Sequence, residues 1–234
     1  MGARRSRALL LALSAAAQPG LASRPVSFLH LALTRVAGTM RVGWTTAQGD
    51  VLGNGTSEVQ WGWSPHALSQ SAWGTNWSWV DVANPSGLNR TYTHHLATMT
   101  GLDPGVTVYY RVGDALDGWS SVSSFVAPRD DYGLPGAAPL RVAVFGDMGW
   151  TNAQALPYLQ TLAAGGEVDL MLDLGDYAYN LDYRDGQVGD AFQSSIEPIT
   201  STVPLLGCVG NHEVRRVVAG GRARTACDRA GRRA

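Results

Sequence analysis

The sequence has no lysine, only two cysteines and few charged residues. Of its 234 residues, 16% are charged and 45% are hydrophobic, and all 18 basic side chains are arginines. A hydrophobic share of this size excludes a chain that is disordered by composition, and the length allows one large or two small domains. No apolar run is long enough to cross a bilayer as a helix, so no membrane span is expected.

The two cysteines, Cys208 and Cys227, are too few for a disulfide framework. Cys208 lies in an apolar run and is predicted to be a small buried hydrophobic residue. A secreted protein could pair the two, and the sequence leaves that alternative open.

Three apolar runs in the second half of the chain each end in a glycine that a polar side chain follows. They cover residues 140–145, 168–174 and 203–209, and continue as Gly-Asp-Met-Gly, Gly-Asp-Tyr-Ala-Tyr and Gly-Asn-His-Glu. Such runs predict buried parallel strands joined by crossovers. Because ligands gather beyond the carboxyl ends of such strands, Asp147, Asp176 and Asn211 should converge.

The crossover helices are expected at residues 152–164 and 190–200. Pro157 and Pro198 fall inside these segments. Each proline predicts a helix that starts late, kinks or ends early.

The residue types after the three glycines favour a metal site. Glycine lets the chain turn sharply off a strand and lets backbone or metal approach closely. Carboxylate, phenolate and amide oxygens suit hard cations, and a carboxylate can bridge two of them for attack on phosphorus. A single Gly-Asp after a strand is more often a turn with a capping carboxylate, so the prediction depends on all three motifs occurring together.

Taken together, the three motifs resemble the first three of the five signature blocks of the purple acid phosphatases. This family is a branch of the calcineurin-like metallophosphoesterases. The resemblance extends through residues 152–155 and 188–192 and favours the long eukaryotic type.

The resemblance implies a role for each residue of the predicted site. Asp147 and Tyr179 would bind ferric iron, and Asp176 would bridge to a divalent zinc, manganese or iron ion held by Asn211. His212 would face the substrate phosphate or its leaving group. The implied activity is hydrolysis of phosphate monoesters, with a small phosphate ester as substrate.

The family pattern also needs three histidines from two later blocks, and no histidine follows His212. We therefore expect this chain to be an inactive fragment that stops after the third motif, with residues 140–213 forming part of the metallophosphoesterase domain. The alternative function is that of a non-catalytic secreted interaction protein that retains a degenerate metallophosphatase half.

Residues 23–129 show six or seven short alternating segments separated by Gly, Asn and Pro. This pattern predicts an antiparallel β-sandwich, and it resembles the fibronectin type III-like domain that precedes the catalytic domain in long purple acid phosphatases. A linker rich in Pro and Gly at residues 130–139 separates the two domains.

Aromatic and histidine pairs in the first domain are interpreted as structural. Seven of the eight tryptophans lie there, and packing is favoured over a carbohydrate-stacking face at Trp77 and Trp79. His94 and His95 are neighbours on a predicted strand, so their side chains point to opposite faces and cannot easily chelate one ion.

The N-terminal segment indicates a secreted or luminal protein. Residues 1–22 combine three arginines, a short apolar run and a small-residue cleavage site, as in a secretory signal peptide. Glycosylation sequons at Asn54, Asn76 and Asn89 agree with that route.

The C-terminal tail, residues 214–234, has seven arginines against one acid, whereas residues 23–213 have eight arginines against 18 acids. A basic tail can bind nucleic acid or a membrane surface. We favour a misplaced exon boundary or reading frame, and expect no nucleic-acid partner. The oligomeric state is left open.

Overall fold

The computed structural model describes residues 26–48, 56–81, 90–115, 118–214, 217–219 and 222–224. The expected signal peptide at residues 1–22, the sequons at Asn54 and Asn89, and Cys227 lie outside these ranges. Among the described helices, none has the length and apolar character needed to span a membrane.

The first domain is built of antiparallel strands in two sheets, as predicted. The strands are β1 (Val26–Leu33), β2 (Met40–Gln48), β3 (Glu58–Gly62), β4 (Gln70–Trp73), β5 (Thr75–Asp81), β6 (Arg90–Met99), β7 (Thr107–Asp114), β8 (Gly118–Trp119) and β9 (Ser123–Val126). One sheet has the order β1-β2-β6-β5, and the other has the order β4-β3-β7-β8 with β9 also paired to β7. The fibronectin-like assignment remains a prediction, and β4 and β5 are strands that the sequence did not predict.

Alternation along the strands sends one set of side chains into the space between the sheets. On β6 every second residue from Thr93 to Met99 is buried, and on β7 Val108, Tyr110 and Val112 are completely enclosed. These apolar side chains form one continuous core with those of β1, β2 and β3.

The paired histidines follow the same alternation, so their side chains point to opposite faces, as predicted. His95 points into the core, where it bonds Thr46 and Ser57, whereas His94 bonds Thr45 on the other face.

The packing prediction for the tryptophans is only partly right. Trp44 and Trp61 are core residues. The larger group is exposed, namely Trp63, Trp73, Trp77 and Trp79. Trp77 and Trp79 are exposed because they stand on β5, the edge strand, and point away from the core.

The second domain is a parallel sheet with two crossover helices. Its elements are β10 (Val142–Phe145), α1 (Leu156–Ala164), β11 (Leu170–Asp173), α2 (Gln187–Thr200) and β12 (Leu205–Gly207), with the sheet order β10-β11-β12. The helix α1 starts later than predicted because Pro157 occupies its first turn, where no N–H is needed. Pro198 lies in the last turn of α2 without ending it early. Beyond this domain, β13 (Val217–Ala219) and β14 (Arg222–Arg224) pair antiparallel within the basic tail.

Both helices cover one face of this sheet, where Met171, Phe192 and Ile199 form the centre of a second core. The other face exposes apolar side chains, including Val144 at 58% and Leu206 at 45%. Cys208 is exposed, so its predicted burial is wrong. Cys208 follows Leu206 by two positions, so both stand on the face of the sheet that the helices do not cover.

The C-terminal half of α2 packs against the first domain. Glu197 accepts the backbone N–H of Phe28 at 2.8 Å, and the hydroxyl of Thr200 donates to the carbonyl of Leu29 at 2.6 Å. The buried phenol of Tyr110 donates to the carbonyl of Ser201 at 2.8 Å. The two domains are therefore joined by hydrogen bonds at the end of the second crossover.

Candidate metal centre

The loops that follow β10, β11 and β12 meet at one edge of the sheet. Phe145 pairs with Asp173, and Asp173 pairs with Gly207, so the three strands end in register. Directly beyond them, the N–H of Asp147 donates to the carbonyl of Gly175 at 3.0 Å. The parallel arrangement thus brings the first two motifs side by side, as the sequence predicts.

Tyr179 connects the second motif to the first. Its phenol donates a 2.8 Å hydrogen bond to the carboxylate of Asp147. The ring of His212, from the third motif, lies 4.6 Å from the ring of Tyr179, centroid to centroid. One side chain from each of the three loops therefore contributes to a single cluster.

The third motif is anchored on Asp176, because the backbone N–H of His212 donates to the Asp176 carboxylate at 2.8 Å. Asn211 precedes His212 and is exposed, and Asp147 is exposed as well, whereas Asp176 is 8% exposed. The structure thus groups all five predicted site residues at one edge of the sheet. Their ligand roles remain predictions.

Glu213 is a central residue of this cluster for which no role was predicted. Its carboxylate accepts the backbone N–H groups of Asp176, Tyr177 and Gly210 at 2.8, 2.9 and 2.8 Å. Three N–H groups on one carboxylate hold the second and third loops against each other. The available signal was the glutamate directly after Gly-Asn-His, where a short turn returns the chain to the preceding loop.

Asn180 was also missed, and it orients His212. The amide oxygen of Asn180 accepts from His212 Nδ1 at 3.2 Å. Because this bond fixes the proton on Nδ1, the other ring nitrogen, Nε2, is left for a substrate.

Four non-glycine residues of the cluster have left-handed backbone. Their φ angles are 53° at Asp147, 55° at Asp176, 52° at Tyr179 and 82° at Asn180. This region costs about 1 kcal/mol or more per residue, and it persists where the surroundings fix the conformation. Three of these four residues are predicted metal ligands. Such a concentration of strained backbone is typical of a functional site.

Two glycines make the close approach of the loops possible. A Cβ added to Gly210 would stand 2.2 Å from the carboxylate oxygen of Asp176. Gly175 has a φ of +98°, and a Cβ there would stand 2.3 Å from the nitrogen of Gly210. Any larger residue at either position would push the second and third loops apart.

The electrostatics favour a cation. The pKa of the Asp173 carboxyl is raised to about 6, mainly by burial and also by the nearby charges of Glu213 and Asp147, against the opposing effect of the Gly175 N–H. The pKa of the Tyr179 phenol is also raised, first by its hydrogen bond to Asp147. Both groups therefore resist carrying negative charge until a positive charge offsets the neighbouring carboxylates.

The donor atoms suit a hard cation in chemical type, because carboxylate, phenol and amide oxygens lie together with solvent access. These donors are too few to complete the coordination of a metal ion. Within the described ranges, no group of three or more His, Cys, Asp or Glu side chains is arranged to hold a metal ion.

Comparison with known proteins agrees with both halves of the chain. Residues 26–127 match the family model of the purple acid phosphatase N-terminal domain, and residues 140–230 match that of the calcineurin-like phosphoesterases. The human protein named acid phosphatase type 7 is 38% identical over 210 residues, which cover 88% of this chain and 44% of the relative. An Arabidopsis thaliana protein named "Probable inactive purple acid phosphatase 9" is 32% identical over 132 residues, covering 50% of this chain and 19% of the relative.

The fold is also similar to a solved structure, that of a purple acid phosphatase isolated from yellow lupin (Lupinus luteus) seeds. The TM-score is 0.61 at 22% identity, over 85% of this chain and 38% of the lupin chain. This chain thus spans less than half the length of each of these relatives. On the two family models and the relatives that share them, the chain belongs to the purple acid phosphatase family.

Proposed function

We propose that the chain carries the first half of a metal-dependent phosphatase site that acts on small phosphate monoesters. The observation that supports this most directly is the hydrogen bond from Tyr179 to Asp147, with His212 packed against the same phenol. These side chains come from three separate strand ends, which a set of independent turns would not bring together.

In this proposal each donor has one position. Asp147 and Tyr179 would hold ferric iron, Asp176 would be shared between two ions, and Asn211 would hold a divalent zinc, manganese or iron ion. When bound, such a pair supplies positive charge that offsets the charge on the phosphoryl group and activates the attacking water. Tyr179 would lose its phenol proton on binding iron, so its hydrogen bond to Asp147 would be lost and both oxygens would bind the ion instead.

His212 acts on the substrate in this proposal. Asn180 accepts the proton on Nδ1 and Tyr179 supports the ring, so Nε2 faces the substrate, and in the doubly protonated ring Nε2 would donate its proton to the leaving-group oxygen. Asp176 fixes the backbone of His212, which limits movement of the imidazole relative to the shared carboxylate.

We further propose that the 234-residue chain alone does not hydrolyse phosphate monoesters. The proposed donors are four residues, three of them oxygen ligands of a single ion, and the second ion would have only Asp176 and Asn211. With only two protein ligands, the second ion would bind weakly and could not hold a water in place for activation.

The test of the site is titration of the full chain with ferric ion, followed by visible absorption. A phenolate that binds ferric iron gives a charge-transfer band, and this band should vanish in Tyr179→Phe. Tyr183→Phe is the matched control, because Tyr183 is an exposed phenol in the same segment. A band that survives in Tyr179→Phe, or no band in the wild type, would refute the assignment.

The second candidate function is that of a non-catalytic secreted interaction protein with a degenerate site. Its support is the partial donor set of the described residues. Turnover of an aryl phosphate by the chain loaded with iron and zinc would exclude this alternative and would also refute the proposed inactivity.

The secretory route is likewise a proposal, based on residues 1–22 and on the sequons. Expression of the full chain in a secreting cell should give a processed N-terminus near residue 23. An N-terminus that still begins with Met1 would refute it.

A further inference from the structure

Arg90, at the start of β6 in the first domain, reaches across to the second domain. Its guanidinium donates to the carbonyl of Asp185 and to the carboxylate of Asp190. Tyr92 donates to the same carboxylate at 3.0 Å, and the Arg90 guanidinium carbon lies 5.1 Å from the centre of the Tyr92 ring. The side chains of Arg90 and Asp190 are only 24% and 33% exposed, so solvent weakens this pair less than an open surface pair.

The guanidinium also fits the backbone at this point. Gly186 has a φ of +81°, and a Cβ there would stand 2.8 Å from a guanidinium nitrogen of Arg90. A side chain at Gly186 would therefore both strain the backbone and displace Arg90. The contact therefore depends on Gly186 in the second domain as well as on Arg90 in the first.

The segment that Arg90 touches is tied back to the metal centre by backbone hydrogen bonds. The N–H of Gly189, in the first turn of α2, donates to the carbonyl of Leu181 at 3.0 Å, and the N–H of Tyr183 donates to the carbonyl of Asn180 at 3.1 Å. Asn180 in turn accepts from the His212 imidazole. A continuous chain of contacts thus runs from the first domain to the proposed catalytic histidine.

Four non-glycine residues of this segment have left-handed backbone. Besides Tyr179 and Asn180, Arg184 and Asp185 also have positive φ, of 52° and 59°. A strained loop keeps its conformation only when contacts outside it hold it in place. From the first domain, Arg90 donates to Asp185 and Asp190, and Tyr92 donates to Asp190, so the guanidinium is the group that reaches both ends of residues 185–190.

We propose that Arg90 is a positioning residue, through which the first domain holds residues 179–190 in the conformation that places Tyr179 and Asn180 at the metal centre. The importance of this role for catalysis rests on the proposed function. The contact that holds residues 179–190 in place does not depend on any metal. The first domain thereby contributes to the geometry of a site that contains none of its own residues.

The test compares backbone hydrogen exchange of the metal-free full chain in wild type, Arg90→Gln and Tyr110→Phe. Loss of a charged hydrogen-bonding group should accelerate exchange of the amides of Tyr183, Gly186 and Gly189 about tenfold in Arg90→Gln. Tyr110→Phe removes an interdomain hydrogen bond at the other end of α2, and it should leave these amides unchanged. Amides of β2 should not change in either variant.

Equal exchange of the segment in wild type and Arg90→Gln would overturn the proposal. So would equal acceleration in Tyr110→Phe, because that result would assign the effect to domain docking in general. A ferric titration of the same proteins gives the second readout, and Arg90→Gln should need a higher ferric concentration for the Tyr179-dependent band. If the wild type gives no band, the proposed metal centre fails while the exchange result still decides the role of Arg90.

Discussion

The carboxylate of Glu213 accepts the backbone N–H of Asp176 at 2.8 Å, across 37 residues of sequence. The same carboxylate accepts two more N–H groups, so it acts as the connection between the loops after β11 and β12. This relationship explains why a motif that ends in glutamate can present the two side chains before it toward the other loops.

Glu213→Gln should loosen both loops. The amide of glutamine has one acceptor oxygen and would turn an NH₂ group toward a backbone donor, at a cost of about 2 kcal/mol. Hydrogen exchange of the amides of Asp176 and Gly210 should accelerate accordingly. Glu167→Gln is the control, since Glu167 is exposed and remote from the three loops, and unchanged exchange in Glu213→Gln would contradict the prediction.

Gly210→Ala should destabilise the second domain by about 1–3 kcal/mol, because its Cβ would overlap the Asp176 carboxylate. Urea unfolding followed by the helical circular-dichroism signal measures this, since both described helices belong to this domain. Gly146→Ala is the matched variant, with its nearest atom, the Leu174 Cβ, at 3.2 Å. Equal unfolding midpoints for the two variants would show that the loops are not packed as described.

Asp147→Asn and Asp176→Asn should weaken ferric binding much more than His212→Ala. An amide supplies an oxygen but no charge, whereas His212 is expected to act on substrate and not on metal. Metal content after gel filtration, measured by mass spectrometry, distinguishes the three variants. Full iron occupancy in Asp176→Asn would remove that residue from the proposed ligand set.

The strands and their polar ends could be predicted from the sequence because each depends on local pattern. A run such as residues 140–145 is long enough to identify a buried strand, and the glycine after it marks where the chain turns. The position of Asp147 beside Gly175 then follows from the parallel register, which the crossover helices impose. The late start of α1 follows from Pro157 in the same way.

The contacts between distant segments could not be predicted. Nothing near Arg90 in the sequence points to Asp190, because the two meet only after both domains are packed. The exposure of Cys208 depends on which face of the sheet the helices cover, and an apolar run does not state that. The exposure of Trp77 and Trp79 could not be predicted either, since an edge strand and a central strand have the same alternating pattern.

A buried imidazole should make the first domain sensitive to acid. His95 is 3% exposed and stacks on Trp44 with 5.0 Å between ring centroids. The pKa of His95 is lowered from 6.5 to about 4, mainly by burial and in part by His94, against the opposing effect of the Asp114 carboxylate. Thr46 and Ser57 hydrogen-bond its two ring nitrogens, so the neutral ring is well satisfied where it lies.

The direction of the pH effect follows from where the proton binds. Between pH 6.5 and about 4 the unfolded chain protonates His95 and the folded chain does not, so the free energy of unfolding falls as pH falls through this window. The loss should be at most about 3 kcal/mol, and it should be absent well above pH 6.5. Urea unfolding followed by tryptophan fluorescence should therefore show a smaller pH dependence for His95→Gln than for wild type. His66→Gln, which removes an exposed histidine from the same domain, should keep the full dependence, and equal slopes in wild type and His95→Gln would show that His95 does not titrate in this way.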